Sequence, residues 1–341
     1  MNGARVSIIM PFYNEAAHLP RVLESISAQT FDHSRLYVIA VDGDSSDGSA
    51  ALVRRWLAEH DIAGIVLSNR RRKIPISLNI GLRHAGDLDF IVRLDAHTVY
   101  GADYIAEAMR MLESLPADTG CIGAAHVPIP GKTFSQRVVE ALYTNPMGLG
   151  GADYRFGSDI REVDNAYLGI WKPGVLAAAG GFNEALDANE DGEMSARIRD
   201  LRYRIFRVPL PCKFIINRGP WGAIRQWHRY GFWRCRMLRD NPRFIRRRHV
   251  INPAAAALAL MVAISPVRLL LLPMFLVYSL LVVRGRAKGE SPAVTLAAIG
   301  FFPVLQFAYA AGMFAGLLSG GRGRFRPRYV HAAAFGDQSV Q

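Results

Sequence analysis

Phe90-Ile91-Val92-Arg93-Leu94-Asp95-Ala96-His97-Thr98-Val99-Tyr100 decides how the chain reads. An apolar run of strand type, Phe90 to Leu94, stops abruptly at Asp95-Ala96-His97. In an open parallel α/β sheet, ligands bind outside the carboxyl ends of the strands, so Asp95 and His97 emerge where a ligand would sit. Two residues apart on extended backbone, their side chains share one side of the chain. A carboxylate and an imidazole so placed can hold a divalent cation, and the cation a diphosphate. The plainer alternative is a helix-capping Asp95 beside an ordinary loop histidine. The rest of the chain bears on that choice.

Upstream, Val6 to Met10 is a short β-rich run closed by Pro11-Phe12-Tyr13-Asn14-Glu15. Leu19, Val22, Leu23 and Ile26 then fall at helical spacing. Leu36 to Val41 is a second buried strand, ending in Asp42-Gly43-Asp44-Ser45-Ser46-Asp47-Gly48. A helix bearing Leu52, Val53, Trp56 and Leu57 leads to a third strand, Gly64 to Leu67. The basic run Asn69 to Lys73 follows, then a helix from Pro75 to His84. Strands alternating with helices predict βαβ units and a parallel sheet. No G-x-G-x-x-G turn follows any strand, which argues against a dinucleotide site. Strands end in acids instead. Carboxylates alone repel a diphosphate, so Arg71, Lys73 or a cation at Asp95 must supply positive charge. Ser46 or Asp47 suits the N-cap of the following helix, leaving Asp42 for a ligand.

Downstream, Tyr104, Ile105, Met109 and Leu112 mark a helix, Cys121 to Val127 a strand, and Phe134 to Tyr143 another helix. Gly148 to Gly157 is a glycine-rich loop, a candidate acceptor or lid segment. Val163 to Trp171 reads as a strand with Asp164 at its start. Asn189-Glu190-Asp191-Gly192-Glu193 opens a helix running to Asp200. Acids in a first helical turn answer the dipole at about 0.3–1 kcal/mol each. Three in four residues exceed that need, so one of them is a candidate general base.

The chain has 341 residues and a net charge of +12, and half of its residues are hydrophobic. Length bounds it at one large domain or two. The apolar surplus lies after Asn252, and arginines gather between Arg218 and Arg248. Trp221, Trp227, Tyr230, Phe232 and Trp233 interleave with them, a pattern that suits single-stranded nucleic acid or a helix in a lipid headgroup layer. The apolar spans that follow favour the membrane. Pro253 to Val283 is too long for one straight span and short for two, and Ser265-Pro266-Val267-Arg268 interrupts it, favouring a hairpin; Pro292 to Leu318 is a further span. Three cysteines without metal spacing, and an N-terminus without a signal-peptide core, fit a reducing cytosolic setting for the first part. The expected organisation is a catalytic domain over 1–220, a basic aromatic segment over 221–250, transmembrane helices over 251–320 and a basic tail over 321–341.

Together, Val6 to Glu15, Asp42 to Gly48, the strand into Asp95 and Asn189 to Asp191 resemble the family 2 inverting glycosyltransferases of the GT-A fold. Leu78 to Gly81, Arg93 to His97, Gly181 to Glu184, Asn189 to Glu193, Asp164 to Gly169 and Tyr309 to Gly316 are similar to the ExoA type of succinoglycan-biosynthesis glucosyltransferase. The resemblance implies that Pro11, Tyr13 and Asp42 hold the nucleotide, with Asp42 accepting from the uracil imide and Glu15 near the ribose or diphosphate. Asp95 and His97 stand at the D-x-D position, which places Mg²⁺ or Mn²⁺ on the diphosphate. Histidine replaces the second acid there. Asp191 stands where the family carries its base, beside Glu190. Gln226-Trp227-His228-Arg229-Tyr230 looks like the Q-x-x-R-W motif with tyrosine in last place. Asp164, Gln226, Arg229 and Tyr230 become candidates for acceptor or product contacts.

The expected function is transfer of one sugar, with UDP-glucose as expected donor, to a lipid-linked saccharide in exopolysaccharide synthesis, with inversion. The catalytic domain is expected on the cytoplasmic face of the inner membrane, without nucleic acid as a partner. Three rivals stand beside it. A polyprenyl-phosphate sugar synthase pairs the same fold with C-terminal spans. A processive polysaccharide synthase needs more spans than this chain offers. A basic nucleic-acid-binding protein would explain the charge but not acids at successive strand ends.

Overall fold

The computed structural model describes residues 4–319 apart from 87–88, 126, 147–153, 155–156 and 217–218. The described residues divide into two units, one within 4–125 and 157–215, the other within 127–154 and 216–319. The helix Phe134–Thr144 falls in the second unit with the C-terminal helices.

In the first unit, β1 (Val6–Phe12) lies between β2 (Leu36–Asp42) and β4 (Phe90–Arg93), parallel to both, with β3 (Ala63–Ser68) outside β2. Every residue of β1 but Pro11 is buried, as expected of a strand covered on both faces. The crossovers are α1 (Leu19–Ser27), α2 (Ser49–Glu59) and α3 (Ile74–His84). Each expected βα unit is present. The helix α3 lies so close to β1 that a Cβ on Gly81 would stand 2.4 Å from Cγ2 of Ile9, so only glycine fits there.

Beyond β4 the sheet is mixed, in the order β3-β2-β1-β4-β8-β6-β9-β7. The strand β8 (Ile170–Trp171) runs antiparallel to both β4 and β6 (Thr119–Ala124), while β9 (Arg204–Val208) returns parallel to β6. A two-strand ribbon of β5 (Thr98–Tyr100) and β10 (Cys212–Phe214) and the edge strand β7 (Arg161–Glu162) complete the strands. The expected strand over 163–171 is corrected. Only its last two residues pair, because Asp164 to Gly169 forms a turn with Leu168 at φ 52° and Asn165 held by Ser195 Oγ at 2.9 Å. Also in this unit are α4 (Tyr104–Ser114), α6 (Pro173–Ala179) and α7 (Glu190–Asp200).

The second unit is helical: α5 (Phe134–Thr144), α8 (Pro220–Asp240), α9 (Arg247–Ala263), α10 (Leu271–Arg284) and α11 (Pro292–Leu318). A capping box of Thr133 and Gln136 starts α5. The helix α8 buries Ala223, Trp227 and Gly231 along one stripe and leaves Trp221 exposed. It meets α11 at glycines: a Cβ on Gly231 or Gly312 would fall 2.0 Å from the carbonyl oxygen of Tyr309 or His228. The helix α11, 27 residues with mean hydropathy 1.7 and mostly uncovered, is long and apolar enough to cross a membrane. The tract before it is not one helix: it breaks between Ala263 and Leu271. At 17 and 14 residues, α9 and α10 are roughly 25 and 21 Å long, each short of a full hydrocarbon thickness of about 30 Å.

Candidate active site

Three parallel strands end side by side, with Phe12 in register with Asp42 and Ile9 with Arg93. From the end of β1 the backbone turns at Asn14 (φ 52°) and is stitched to the loop after β2. Asn14 N donates to Ser45 Oγ at 2.9 Å, Glu15 N to Ser49 Oγ at 2.8 Å and Ala16 N to Asp47 Oδ2 at 2.9 Å. Asp47 also accepts from Ser49 N and Oγ at the start of α2, which pulls its pKa down against the cost of burial. The N-cap position itself is Gly48, at φ 89°, not the expected Ser46 or Asp47, and Asp47 bonds the first residue of α2 from just before the cap. Buried Asp42 accepts from Ser45 N through Oδ1 at 3.0 Å.

Beside Asp42, the half-exposed ring of Tyr13 lies under the guanidinium of Arg72, 5.2 Å from the ring centre, and Arg72 pairs with Asp44 at 2.7 Å. Arg72 was not expected at the site; the signal for it was the basic run from Arg70 to Lys73. Lys73 lies 2.8 Å from Asp187 and Arg71 3.7 Å from Glu184. Both cations of the diphosphate expectation are thus linked to the loop that leads into α7.

The turn after β4 is rigid. Tyr100 Oη accepts from Asp95 N at 2.7 Å and donates to Asp95 O at 3.3 Å, and burial holds that phenol well above its ordinary pKa. His97 O accepts from Ile215 N at 2.7 Å, while His97 Nδ1 stands 3.2 Å from Glu15 Oε1. The other oxygen of Glu15 is buried without a hydrogen-bond partner. Among the described residues no three His, Cys, Asp or Glu side chains gather to cage a metal. The donor set of Asp95 and His97, with an unsatisfied carboxylate oxygen at Glu15 nearby, fits instead a cation that takes its remaining ligands from a diphosphate.

The group that joins the site opens the stretch Arg93 to His97 but was given no role from the sequence. Arg93, 5% exposed, donates from Nε to Asp95 Oδ1 at 2.9 Å and from Nη1 to Asp191 Oδ1 at 2.6 Å and Glu190 Oε1 at 3.3 Å. A single guanidinium on the central sheet thus gathers the acid after β4 and both acids that open α7. A charged residue inside the apolar run Phe90 to Leu94 was the available signal, since a buried ion must be paired. Burial pushes the Asp191 carboxyl up to about 7 against the pull of Arg93, with Glu190 and Asp95 adding to the rise. Desolvation here outweighs the pull that the start of α7 exerts towards the ionised form. Glu193 is excluded from this group because Arg197 grips both its oxygens, at 2.9 and 2.8 Å.

Asp164 lies half-buried in the turn after β7. Gln226, Arg229 and Tyr230 belong to α8 in the second unit, where Tyr143 Oη donates to Gln226 Oε1 at 3.3 Å and Gln226 Nε2 to Tyr230 Oη at 2.6 Å. The glycine-rich loop lies largely outside the described residues.

A mixed sheet whose parallel strands run out at Asp42 and Asp95, with the acids Glu190 and Asp191 at a helix start joined to Asp95 through Arg93, is the architecture of a GT-A glycosyltransferase. Residues 7–154 match the Glycosyl transferase family 2 profile, and the chain carries a glycosyltransferase domain of that family. It is 28% identical over 234 residues to succinoglycan biosynthesis protein ExoA of Rhizobium meliloti, covering 67% of this chain and 68% of ExoA. It is also 28% identical over 153 residues to an undecaprenyl-phosphate 4-deoxy-4-formamido-L-arabinose transferase of Shewanella sediminis, covering 44% and 45%. The fold matches that of the mannosyltransferase PcManGT from Pyrobaculum calidifontis, solved with GDP-Man and Mn²⁺. The TM-score is 0.62 at 21% identity, over 92% of this chain and 87% of that one.

Proposed function

We propose that this glycosyltransferase moves a single sugar from a nucleoside diphosphate donor, UDP-glucose by preference, to a lipid-linked saccharide at the cytoplasmic face of the inner membrane. The observation that carries the reading is the shared guanidinium: Asp95 on the donor side and Asp191 on the acceptor side both bond Arg93. Such spacing suits a single in-line displacement. An acceptor oxygen attacks C1 of the donor sugar as the C1–oxygen bond to the diphosphate breaks, and the configuration inverts.

Asp191 takes the acceptor hydroxyl proton on its carboxylate, and a carboxyl titrating near 7 is matched to that task. Glu190 accepts a hydrogen bond from the acceptor and orients it. Pro11 and Tyr13 bound the slot for the base, Asp42 accepts from its imide, and Glu15 meets the ribose or diphosphate. Lys73 turns from Asp187 to the diphosphate. Asp95 and His97 would hold Mg²⁺ or Mn²⁺, which supplies charge neutralisation for the leaving diphosphate. Asp164, Gln226, Arg229 and Tyr230 serve the acceptor or product. The likeness to ExoA supports a lipid-linked saccharide and exopolysaccharide synthesis. The likeness to an undecaprenyl-phosphate transferase keeps a second reading, transfer onto a polyprenyl phosphate itself.

The test is product analysis on the purified full chain, with UDP- and GDP-sugars offered to lipid-linked saccharides or to bare polyprenyl phosphate. Consumption of UDP-glucose only with a lipid-linked saccharide, giving the inverted anomer, is expected. Transfer to bare polyprenyl phosphate would select the second reading, and a retained anomer would refute the mechanism.

A further inference from the structure

Arg93 occupies a position that packing alone would give to an apolar residue. It stands on the central strand β4, between Val92 and Leu94, with 0% and 1% exposure. Burying a guanidinium costs several kcal/mol before its partners are counted. Its three acceptors come from two places of unequal firmness. Asp95 follows β4 directly and is clamped by Tyr100. Glu190 and Asp191 follow a loop with left-handed backbone at Gly180, Gly181 and Asn189 (φ 78°, 73° and 66°). That loop is pinned to α3 through Asn79, whose amide donates to Phe182 O at 2.8 Å and accepts from Phe182 N at 2.8 Å. Nearer anchors, Lys73 to Asp187 at 2.8 Å and Ser195 Oγ to Asn165 Oδ1 at 2.9 Å, hold the backbone four residues to either side of Asp191, but neither bonds its carboxylate. The bond that fixes Asp191 to the sheet is the one to Arg93.

We infer that Arg93 is a positioning residue for the transfer step, its planar fork setting Asp191 against Asp95 so that base and donor face one another at fixed separation. The inference rests on the base role proposed for Asp191. Fork geometry is the property at stake. Nε points to the donor side and Nη1 to the acceptor side, an arrangement a single ammonium cannot reproduce. Arg93→Lys therefore keeps the charge and loses the spacing.

The experiment is a double-mutant cycle on the full chain in detergent: Arg93→Lys, Asp191→Asn and the pair, with Arg93→Met as a charge-free companion. Turnover, nucleotide affinity by UDP and GDP titration, and thermal melting are read on each. Misplacing a base by a fraction of an ångström to 1 Å costs up to about 10²-fold, so Arg93→Lys should lose about 10- to 100-fold in kcat. Nucleotide affinity should stay within about twofold. In the Asp191→Asn background the same substitution should change kcat by no more than about twofold, because there is no base left to place. Full turnover in Asp191→Asn would remove the base reading and this inference with it. A slow Asp191→Asn with Arg93→Lys equally damaging in both backgrounds, or harmless in both, would overturn the positioning role and leave the base in place. Loss of folding in both Arg93 variants, with Asp191→Asn melting like wild type, would make Arg93 a structural residue only and also overturn it.

Discussion

Replacing Asp191 by asparagine tests the site through two quantities that move in opposite directions. The side chain keeps 24% of its surface and bonds Arg93 at 2.6 Å, a bond the amide oxygen of asparagine can retain. A carboxyl titrating at about 7 instead of 3.8 binds its proton about a thousandfold more tightly in the folded chain than in the unfolded one. That preference is worth on the order of 4 kcal/mol. The sign follows from which state holds the proton. Between about 4 and 7 the folded chain is protonated at this carboxyl and the unfolded chain is not. Stability from this group is therefore complete below 3.8 and is lost as pH rises to about 7. Asparagine resembles the protonated acid at every pH. Denaturant unfolding should show the two proteins equally stable near pH 4, and the variant ahead by up to about 4 kcal/mol at pH 8. Turnover should respond in the other direction. Wild-type kcat/KM should rise with pH along a limb centred near 7, as the base ionises. The variant should lose about 10²–10⁴-fold in kcat together with that limb, while UDP affinity holds. Turnover that survives the substitution, or the same limb in both proteins, would refute the assignment.

Three further outcomes are expected. Chelator should abolish transfer and Mn²⁺ or Mg²⁺ restore it; Asp95→Ala should be inactive, while His97→Asp keeps a good part by restoring two oxygen ligands, and full activity in EDTA would end the metal reading. Gly312→Val should separate α8 from α11, because its Cβ would meet His228 O at 2.0 Å; a cost of about 1–3 kcal/mol or more should appear as a lower melting temperature in detergent. With α9 and α10 as a hairpin and α11 as a full span, a cysteine at Ala287 should label from the cytoplasmic side and one at Val330 from the opposite side, and labelling of both from one side would exclude a spanning α11.

What could be read before folding, and what could not, divides along a physical line. The units β1-α1-β2, β2-α2-β3 and β3-α3-β4 were legible because β1, β2 and β4 are buried apolar runs followed closely by acids, while the more exposed β3 is a short apolar run set off by the basic residues after it. Asp42 and Asp95 were legible for the same reason. Past β4 the helices α4, α5 and α7 and the strand β6 were still legible, but the short strands were not. Two-residue strands such as β7 and β8 have no period, so 163–171 reads as one strand although Leu168 turns the backbone to positive φ. Nothing local in Phe134–Thr144 says that it packs against α8 and α11. Charges were the hardest to place. Lys73 and Arg71 were read from their sign alone as diphosphate ligands, and the fold shows them beside Asp187 and Glu184, partners more than a hundred residues away. Arg93 carries the complementary lesson. An arginine flanked by Ile91, Val92 and Leu94 on a central strand has no solvent to turn to, so its charge must be met by acids brought from elsewhere. Asp95 lies two residues away and meets only one arm of the fork. The demand for a second acid source was therefore present in the strand itself, and Glu190-Asp191 was the cluster with carboxylates to spare. Reading a buried charge as an unfilled requirement would have joined the two halves of the site before the fold was known.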